Sequence, residues 1–442
     1  MTLPRYPAYK DSGLEWLGEV PRHWSVTRLR FVVELNPSKS EISALDRDTE
    51  ISFLPMEAIG DDGNLDLART RPLGQVESGY TYFREGDVTV AKITPCFENG
   101  KGAVMRGLKH GIGFGTTELI VARPRSAETV DSYVHWVFVS RPFRMLGESY
   151  MYGAGGQKRV PDDFVRNFAI GLPPLGEQNI IASFLDHETS KIDALIAEQK
   201  NLIALLKEKR QAVISHAVTK GLDPDVPMKD SGVEWLREVP EHWSSGPLKY
   251  LARLVTGMTP PTADYDNYAE DGFPWVRPED ISEGGEPVMA SKFLSDKGRS
   301  MARHVAPCSV LICCIGTIGK TGMVYQSVST NQQITAAESR SNPRYLYFVT
   351  VAARIELETM ATGNVLRILN TERLGAIKYP IPPLGEQATI ATFLDHETAK
   401  IDALIGEAEH ATELLQERRS ALISAAVTGK IDVRGLVSQE AA

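Results

Sequence analysis

Long apolar runs and paired cysteines are both missing from this chain of 442 residues. No stretch of about 18 apolar residues occurs, so we expect no membrane span and no membrane partner. The opening residues, MTLPRYPAYKDSG, are polar and interrupted by proline, unlike a signal peptide. Cys96, Cys308, Cys313 and Cys314 lack a paired metal-ligand spacing, which favours free thiols in a reducing cytoplasm. We therefore predict a cytoplasmic protein that binds no metal ion.

The signatures of common catalytic sites are missing as well. GTIGKTG (316–322) resembles a phosphate-binding loop, but that motif requires a glycine where Cys314 stands. A methyltransferase would need a glycine-rich cofactor loop and an Asn/Asp-Pro-Pro-aromatic tetrapeptide, and neither occurs. A nuclease would need clustered carboxylates to hold magnesium, and the E-x-K sequence at 198–200 falls inside a helical pattern. We predict a non-catalytic protein without a cofactor.

The chain also lacks the basic excess that is typical of a protein binding DNA alone. Its net charge is −9. Residues 25–169 hold 18 Lys and Arg against 19 Asp and Glu, and residues 244–378 hold 14 against 13. Those two stretches are neutral together, so the acidic excess lies elsewhere. A neutral segment can still bind phosphates through a few local cations, and weak binding by the isolated chain is expected.

An internal duplication organises the sequence. KDSGLEWLGEVPRHW (10–24) returns as KDSGVEWLREVPEHW (229–243), with 12 of 15 positions identical. A longer block at 173–220 matches 382–429 at 31 of 48 positions. The residues between the paired blocks share little similarity. A repeated scaffold that carries two unlike inserts indicates two similar modules that recognise different things.

The long repeated blocks are predicted to be helices that pair with each other. Each begins with PPLGEQ. The following stretch of about 40 residues contains no Gly or Pro apart from Gly406. Steps of four and three from Ile181 meet apolar residues at seven of ten positions, and from Ile390 at eight of ten. This pattern indicates an antiparallel coiled coil of roughly 60 Å; the alternative is two ordinary core helices of one large domain. Other apolar residues indicate a further partner surface, formed by Ile196, Ile203, Leu205 and Ile214.

The two variable segments are predicted to be mixed α/β. Strand-like runs occur at 87–93, 114–122 and 309–315, and helix-like runs occur at 133–141 and 345–354. The predicted fold class is therefore α+β, with two mixed α/β domains, two long paired helices and a pseudo-two-fold internal repeat.

The repeat also predicts the domain boundaries. The divisions are 1–24 (repeated segment), 25–170 (first variable domain), 171–221 (central helix), 222–243 (second repeated segment), 244–379 (second variable domain), 380–429 (C-terminal helix) and 430–442 (tail).

Several motifs resemble those of one known family. PPLGEQ and FLDHET-x-KIDALI each occur twice, and KDSG-x-EWL-x-EVP-x-HW precedes each variable segment. KITPCFENGKGA (92–103) with GFGTTELIVARP (113–124), and GTIGKTGMV (316–324) with STNQQI (329–334), look like parts of target-recognition domains. Over nearly its whole length the chain resembles the specificity subunits of type I restriction–modification systems.

The resemblance implies a DNA-binding subunit without an active site of its own. Each variable segment would be a target-recognition domain that reads one half of an asymmetric two-part target in double-stranded DNA, and the helices would fix the spacing. Two adenine methyltransferase subunits would dock on the helices, and two ATP-dependent restriction (motor–nuclease) subunits can join. The methyl donor and ATP would bind those partners. A nuclease with its own specificity domain and a coiled-coil adaptor that binds no DNA stay open as alternatives.

Candidate DNA-contacting residues follow from side-chain chemistry. Arg and Lys suit guanine, and Asn and Gln suit adenine. The Gly-Lys loops in ENGKG (98–102) and GTIGKTG can approach phosphates closely, although each also fits an exposed turn with a solvated lysine. GAGGQKR (153–159) has the glycine content and charge of a groove loop. The candidates are Lys92, Thr94, Asn99, Lys101, Gln157, Lys158 and Arg159 in the first segment, and Thr317, Lys320, Asn331, Gln332, Asn364 and Arg367 in the second.

Overall fold

The chain forms two compact units, one of residues 1–199 with 410–442 and the other of residues 200–409. We name them unit 1 and unit 2. No helix in the described part of the chain is long and apolar enough to cross a bilayer. The computed structural model describes residues 3–61, 63–154, 156–282, 284, 288–363 and 365–436.

Unit 1 contains two four-stranded sheets within the first variable segment. Its strands are β1 (Tyr9–Asp11), β2 (Glu19–Pro21), β3 (Ser25–Arg28), β4 (Val33–Leu35), β5 (Glu50–Leu54), β6 (Thr70–Pro72), β7 (Thr81–Arg84), β8 (Val88–Ala91), β9 (Gly102–Val104), β10 (Ile112–Gly115), β11 (Leu119–Pro124) and β12 (Ala169–Leu172). The sheet orders are β6-β5-β10-β7, in which β5 and β10 are parallel, and β4-β11-β8-β9, which is antiparallel. β12 pairs with β3, so the variable segment begins and ends on neighbouring strands.

The helices of unit 1 pack on these sheets and lead into the first long helix. They are α1 (Leu29–Val32), α2 (Leu73–Val76), α3 (Asp131–Val139), α4 (Arg141–Tyr150), α5 (Asp162–Asn167) and α6 (Leu175–Lys220), whose first part, to residue 199, belongs to this unit. The predicted helix at 133–141 corresponds to α3. Its core side of Tyr133, Val134 and Val137 is buried.

Unit 2 repeats this order of elements with one additional strand before α8. Its strands are β13 (Met228–Asp230), β14 (Glu238–Pro240), β15 (Ser244–Pro247), β16 (Ala252–Thr256), β17 (Tyr268–Ala269), β18 (Phe273–Val276), β19 (Lys292–Leu294), β20 (His304–Val305), β21 (Ser309–Cys313), β22 (Thr321–Val324), β23 (Val328–Thr330), β24 (Ile334–Ser339) and β25 (Lys378–Ile381). The helices are α7 (Leu248–Leu251), α8 (Asp296–Met301), α9 (Pro343–Ala352), α10 (Arg354–Met360), α11 (Thr371–Ala376) and α12 (Leu384–Val427). The sheet β16-β24-β21-β22 has the same order as β4-β11-β8-β9, and the second sheet is β17-β19-β18-β23-β20.

The long helices pair in antiparallel fashion. In unit 1, Ile181 and Leu185 from the start of α6 share a core with Ile423 and Val427 from the end of α12. In unit 2 the other ends meet, since Val218 from the end of α6 shares a core with Ile390 from the start of α12. Further along, Leu206 packs with Ile401 and Ile405. The predicted fold class, with two α/β segments and a pair of long helices, is therefore confirmed.

The positions reached by steps of four and three are predicted to be buried between the two helices, and this prediction is wrong in the central part of α6. Ile181, Leu185 and Ile192 are buried as expected, but Leu195 and Leu202 are 46% and 43% exposed. Thr189 is buried instead of Glu188, so the buried stripe advances by four residues from Leu185 and then continues through Ile192 and Ile196. A uniform alternation of four and three misses this one-residue shift. The same shift changes the predicted partner surface. Ile196 and Ile214 are buried and Ile203 is partly buried, whereas Leu205 is exposed.

The duplicated motifs meet at one carboxylate in each unit. In unit 1, Glu177 of PPLGEQ accepts hydrogen bonds from Trp24 Nε1 at 2.9 Å and Tyr6 Oη at 2.7 Å. In unit 2, Glu386 accepts one from Trp243 Nε1 at 2.8 Å. The carboxylate therefore joins the start of each long helix to the EVP-x-HW block, which explains why both motifs recur together.

The end of α12 packs against the first repeated block in unit 1. Lys430 Nζ donates a hydrogen bond to the carbonyl of Leu17 at 3.1 Å, and Asp432 N donates to Pro4 O at 2.8 Å. Unit 1 therefore combines early and late parts of the sequence.

Candidate nucleic-acid interface

Three loops of the first variable segment meet at Lys92, directly after β8. The Lys92 amide donates to Glu118 O at 2.8 Å, and the Val160 amide donates to Lys92 O at 2.8 Å. Glu118 belongs to the turn between β10 and β11. Val160 follows a hairpin closed by backbone bonds between Tyr152 and Arg159. We name these three loops, 92–101, 116–118 and 152–159, the reader frame of unit 1.

Unit 2 builds the same frame on a different sequence. The Cys314 amide donates to Gln333 O at 2.7 Å, and the Leu369 amide donates to Cys314 O at 2.8 Å. A hairpin closed between Thr362 and Ile368 takes the place of the hairpin of unit 1. The reader frame of unit 2 therefore consists of loops 314–320, 331–333 and 362–368.

Glycines permit both hairpins. Gly153 and Gly363 directly follow the first closing residue, with φ angles of +143° and +118°. A Cβ at Gly153 would lie 2.5 Å from Gln157 O, and one at Gly363 would lie 2.2 Å from Leu366 O. Only glycine fits such close backbone approach, which gives the first glycine of GAGGQKR a structural reason.

The backbone bonds make positions in the two frames equivalent. Ala91 N donates to Lys101 O at 2.8 Å, as Cys313 N donates to Lys320 O at 2.9 Å, so the two Gly-Lys sequences occupy matching hairpins. The matched pairs are Lys92 with Cys314, Lys101 with Lys320, Thr116 with Asn331, Glu118 with Gln333, and Arg159 with Ile368.

The remaining candidates of unit 1 line or border its frame. Thr94 Oγ1 donates to Glu98 Oε1 at 2.9 Å. Asn99 is exposed at the tip of the loop after β8, and Gln157 and Lys158 are exposed on the hairpin. Arg159 is held by Glu118 in a two-bond ion pair. The structure thus brings all seven candidates of this segment to one region.

In unit 2 the candidates divide between exposed and internally bonded side chains. Thr317 is exposed, and Gln332 is exposed with its Oε1 accepting from Thr259 Oγ1. Lys320 Nζ donates to Pro278 O at 3.0 Å. Asn331 is buried, and its Oδ1 accepts from the Gln333 amide at 3.1 Å, which shapes the turn.

One described candidate of unit 2 lies on its hairpin. Arg367 is exposed and its guanidinium donates to Glu358 O. Asn364 lies outside the described residues.

Sequence reasoning missed Glu118 and its counterpart Gln333. FGTTELIVA (114–122) is predicted to form one strand, whereas β10 ends at Gly115, β11 begins at Leu119, and the two strands belong to different sheets. The polar turn between them, Thr116–Glu118, is the only signal that could have indicated a loop inside this run. Its carboxylate contacts Arg159, 41 positions away, and no local pattern reports that contact.

A cleft of about 400 Å³ lies beside Lys92 in unit 1. Its lining combines hydrogen-bonding side chains, lysines and a partly exposed aromatic ring, a mixture that suits contact with phosphate or base edges. The lining includes Asn36, Ser38, Lys39, Tyr80, Lys92 and Thr117.

Two unlike α/β segments in one backbone frame, each attached to the same type of helix, define a duplicated recognition-domain protein. The type I restriction modification DNA specificity domain matches the chain twice, at residues 21–205 and 240–409. The chain belongs to this family.

Relatives with curated descriptions agree with that assignment. The chain is 44% identical over 189 residues to the type I restriction enzyme EcoAI specificity subunit of Escherichia coli, and 42% identical over 189 residues to the EcoEI specificity subunit. Each alignment covers 42% of this chain and 31% of the relative, so the chain matches about a third of their length. The MjaVIII specificity subunit of Methanocaldococcus jannaschii is 24% identical over 298 residues, 64% of this chain and 66% of the relative.

Solved structures share the fold over nearly the whole chain. A chain from a structure concerned with complex assembly and conformational transition of the type I R-M system has a TM-score of 0.75 and 19% identity, covering 95% of this chain and 99% of that one. The HsdS subunit from Thermoanaerobacter tengcongensis has a TM-score of 0.53 and 18% identity, covering 93% and 98%.

Proposed function

We propose that this protein is the sequence-specific DNA-binding subunit of a type I restriction–modification complex. It recognises an asymmetric two-part target in double-stranded DNA and directs adenine methyltransferase and ATP-dependent restriction subunits to that target. The observation that carries the proposal is the pair of reader frames, which share backbone geometry but differ in side chains at matched positions. Two readers of unlike chemistry would recognise two unlike half-sites.

The charge distribution supports a binding subunit that acts inside a complex. Both variable segments are close to neutral, so phosphate attraction by this chain alone is small. Partner subunits would contribute further phosphate contacts. We place the chemistry on those partners as well: the methyl donor and ATP would bind them, and this chain would remain non-catalytic and cytoplasmic.

Exposed leucines on the long helices support a docking surface for such partners. In unit 1, Leu195 is 46% exposed and Leu414 is 51% exposed. In unit 2, Leu205 and Leu404 are 62% and 49% exposed. Repeated exposure of large apolar side chains at matching helix positions is typical of an interaction surface. Two methyltransferase subunits, one for each copy, are the partners we propose.

The domain boundaries given above are also part of the proposal. They are supported by the pairing of β3 with β12 and of β15 with β25, which brings together the two ends of each variable segment. A segment with adjacent ends can differ between relatives without changing the scaffold that carries it.

The proposal is tested by co-expressing the chain with the methyltransferase subunit of its own system in cells that lack adenine methylation. Long-read sequencing then maps N6-methyladenine. A two-part motif with an unread spacer, absent when this chain is omitted, is the expected result. Methylation without this chain, or none from a purified complex that contains both proteins, would contradict it and favour the adaptor alternative, which direct DNA binding then tests.

A further inference from the structure

The guanidinium of Arg159 is held in a single orientation by Glu118. Nε donates to Oε2 at 2.9 Å, and Nη2 donates to Oε1 at 2.7 Å. The side chains of Arg159 and Glu118 are 40% and 23% exposed. The pair therefore lies at the protein surface, within the reader frame of unit 1, and it can meet a ligand from solvent.

Both members of the pair are fixed through the backbone. Arg159 is bonded to Tyr152 across the hairpin and pairs with Ile93 on its other side. The Glu118 amide donates to Thr116 Oγ1 at 3.2 Å, and its carbonyl accepts from the Lys92 amide. Little orientational freedom remains to be lost when a ligand binds, which favours specificity.

The two-bond geometry leaves the outer end of the guanidinium available. Glu118 occupies the edge formed by Nε and Nη2, whereas Nη1 and the second proton of Nη2 point along the side-chain axis. No residue in the described part of the chain accepts a hydrogen bond from Nη1 of Arg159. This outer pair of donors matches the O6 and N7 acceptors of guanine in the major groove.

The same carboxylate makes Arg159 a poor phosphate contact. Glu118 neutralises much of the field that would attract a phosphate, while the outer N–H groups keep their direction. The hydrogen bond from Arg159 also holds the pKa of Glu118 below its ordinary value, so the carboxylate stays ionised at neutral pH. Lys158, the exposed neighbour on the hairpin, lacks such a partner among the hydrogen bonds of the described residues and suits phosphate better.

Unit 2 has no such pair at the matched positions. Ile368 stands where Arg159 stands in unit 1, and Gln333 stands where Glu118 stands. Any effect that depends on the oriented guanidinium must therefore belong to one reader alone.

We propose that Arg159, oriented by Glu118, reads a guanine in the half-site of unit 1. Arg159 contacts the base, and Glu118 is a positioning residue that acts through it. This inference rests on the proposed function, because it assumes that the reader frame of unit 1 meets the major groove.

The test compares variants in the complete complex of this chain with its methyltransferase. Arg159→Lys keeps the charge but loses the planar pair of donors. The expected result is a wild-type motif with a guanine in one half-site, at which Arg159→Lys loses about 5- to 150-fold discrimination, corresponding to about 1–3 kcal/mol for a bidentate contact. The other half-site stays unchanged. Methylome mapping and binding to duplexes with each base at that position provide the measurements.

Two further variants separate orientation from charge. Glu118→Gln should keep guanine as the preferred base at the same position but reduce the discrimination. Lys158→Gln is the matched control: it should weaken binding to all duplexes alike, lower the salt slope by about one and leave the motif intact.

Different failures have different meanings. A two-part wild-type motif that Arg159→Lys leaves unchanged would overturn this inference while leaving the proposed function in place. Uniform weakening by Arg159→Lys, or tighter binding by Glu118→Gln with the same motif, would show a phosphate contact that Glu118 opposes, and would also overturn it. A wild-type complex that yields no two-part motif would overturn the proposed function itself.

Discussion

The two units share their side-chain chemistry at the start of each long helix but not in the reader frame. At the helix start, both chemistry and geometry are duplicated: a carboxylate accepts from a tryptophan in each unit, at Glu177 and at Glu386. In the reader frame, geometry is duplicated but chemistry is not, since an ion pair in unit 1 is replaced by Ile368 and Gln333 in unit 2. The comparison separates residues that hold the scaffold from residues that are free to specify a ligand.

The largest loss of stability should follow substitution of Glu177 or Glu386, two carboxylates that have the same role but differ in burial. Glu177 is 7% exposed and accepts from both Trp24 and Tyr6, whereas the side chain of Glu386 is 42% exposed. Glu177→Ala leaves two buried donors unpaired and should lower the free energy of unfolding by about 3–5 kcal/mol. Glu386→Ala should cost about 1–2 kcal/mol because water can replace the lost acceptor.

Urea unfolding, with hydrogen exchange followed separately around Trp24 and Trp243, measures both changes. Glu177→Gln is the control that keeps the size and one acceptor of the side chain. Equal losses in the two units would contradict the argument from burial.

An intermediate effect should follow when the chemistry of unit 1 is placed in the frame of unit 2. The double substitution Gln333→Glu with Ile368→Arg should create a new guanine preference in the second half-site, again about 5- to 150-fold. Ile368→Arg alone lacks the positioning carboxylate and should give less discrimination. Methylome mapping measures both results. A change in the first half-site would contradict the equivalence of the two frames.

The smallest effect concerns two matched ion pairs between the long helices. Arg419 Nε lies 2.8 Å from Asp193 Oδ1 in unit 1, and Arg210 Nε lies 2.8 Å from Asp402 Oδ1 in unit 2. The aspartates are about half exposed, so Asp193→Asn and Asp402→Asn should each cost only about 0.3–1 kcal/mol. Double-mutant cycles with Arg→Gln partners measure the coupling. A much larger coupling in one unit would show that the helix pair is not equivalent in the two.

The repeat, the long helices and the mixed α/β segments could be predicted from the sequence because each leaves a local or self-similar pattern. The exposure of Leu195 could not, since a one-residue shift moves the buried positions from Glu188 and Leu195 to Thr189 and Ile196 without changing the composition. The pairing of Glu118 with Arg159 could not be predicted either, because it joins a turn and a hairpin far apart in sequence. Residue type alone indicated Arg159 as a candidate contact, but it did not indicate Glu118, the residue that orients it.

The contacts of Lys430 and Asp432 with the first repeated block have a consequence for synthesis of the chain on the ribosome. All residues of unit 2 have been translated once residue 409 is added. At that stage unit 1 still lacks the end of α12 and the segment that packs against Leu17 and Pro4. Domains tend to fold as they emerge. The unit that contains the earliest residues is therefore the last to be completed, and until then Ile181 and Leu185 lack the part of α12 that covers them.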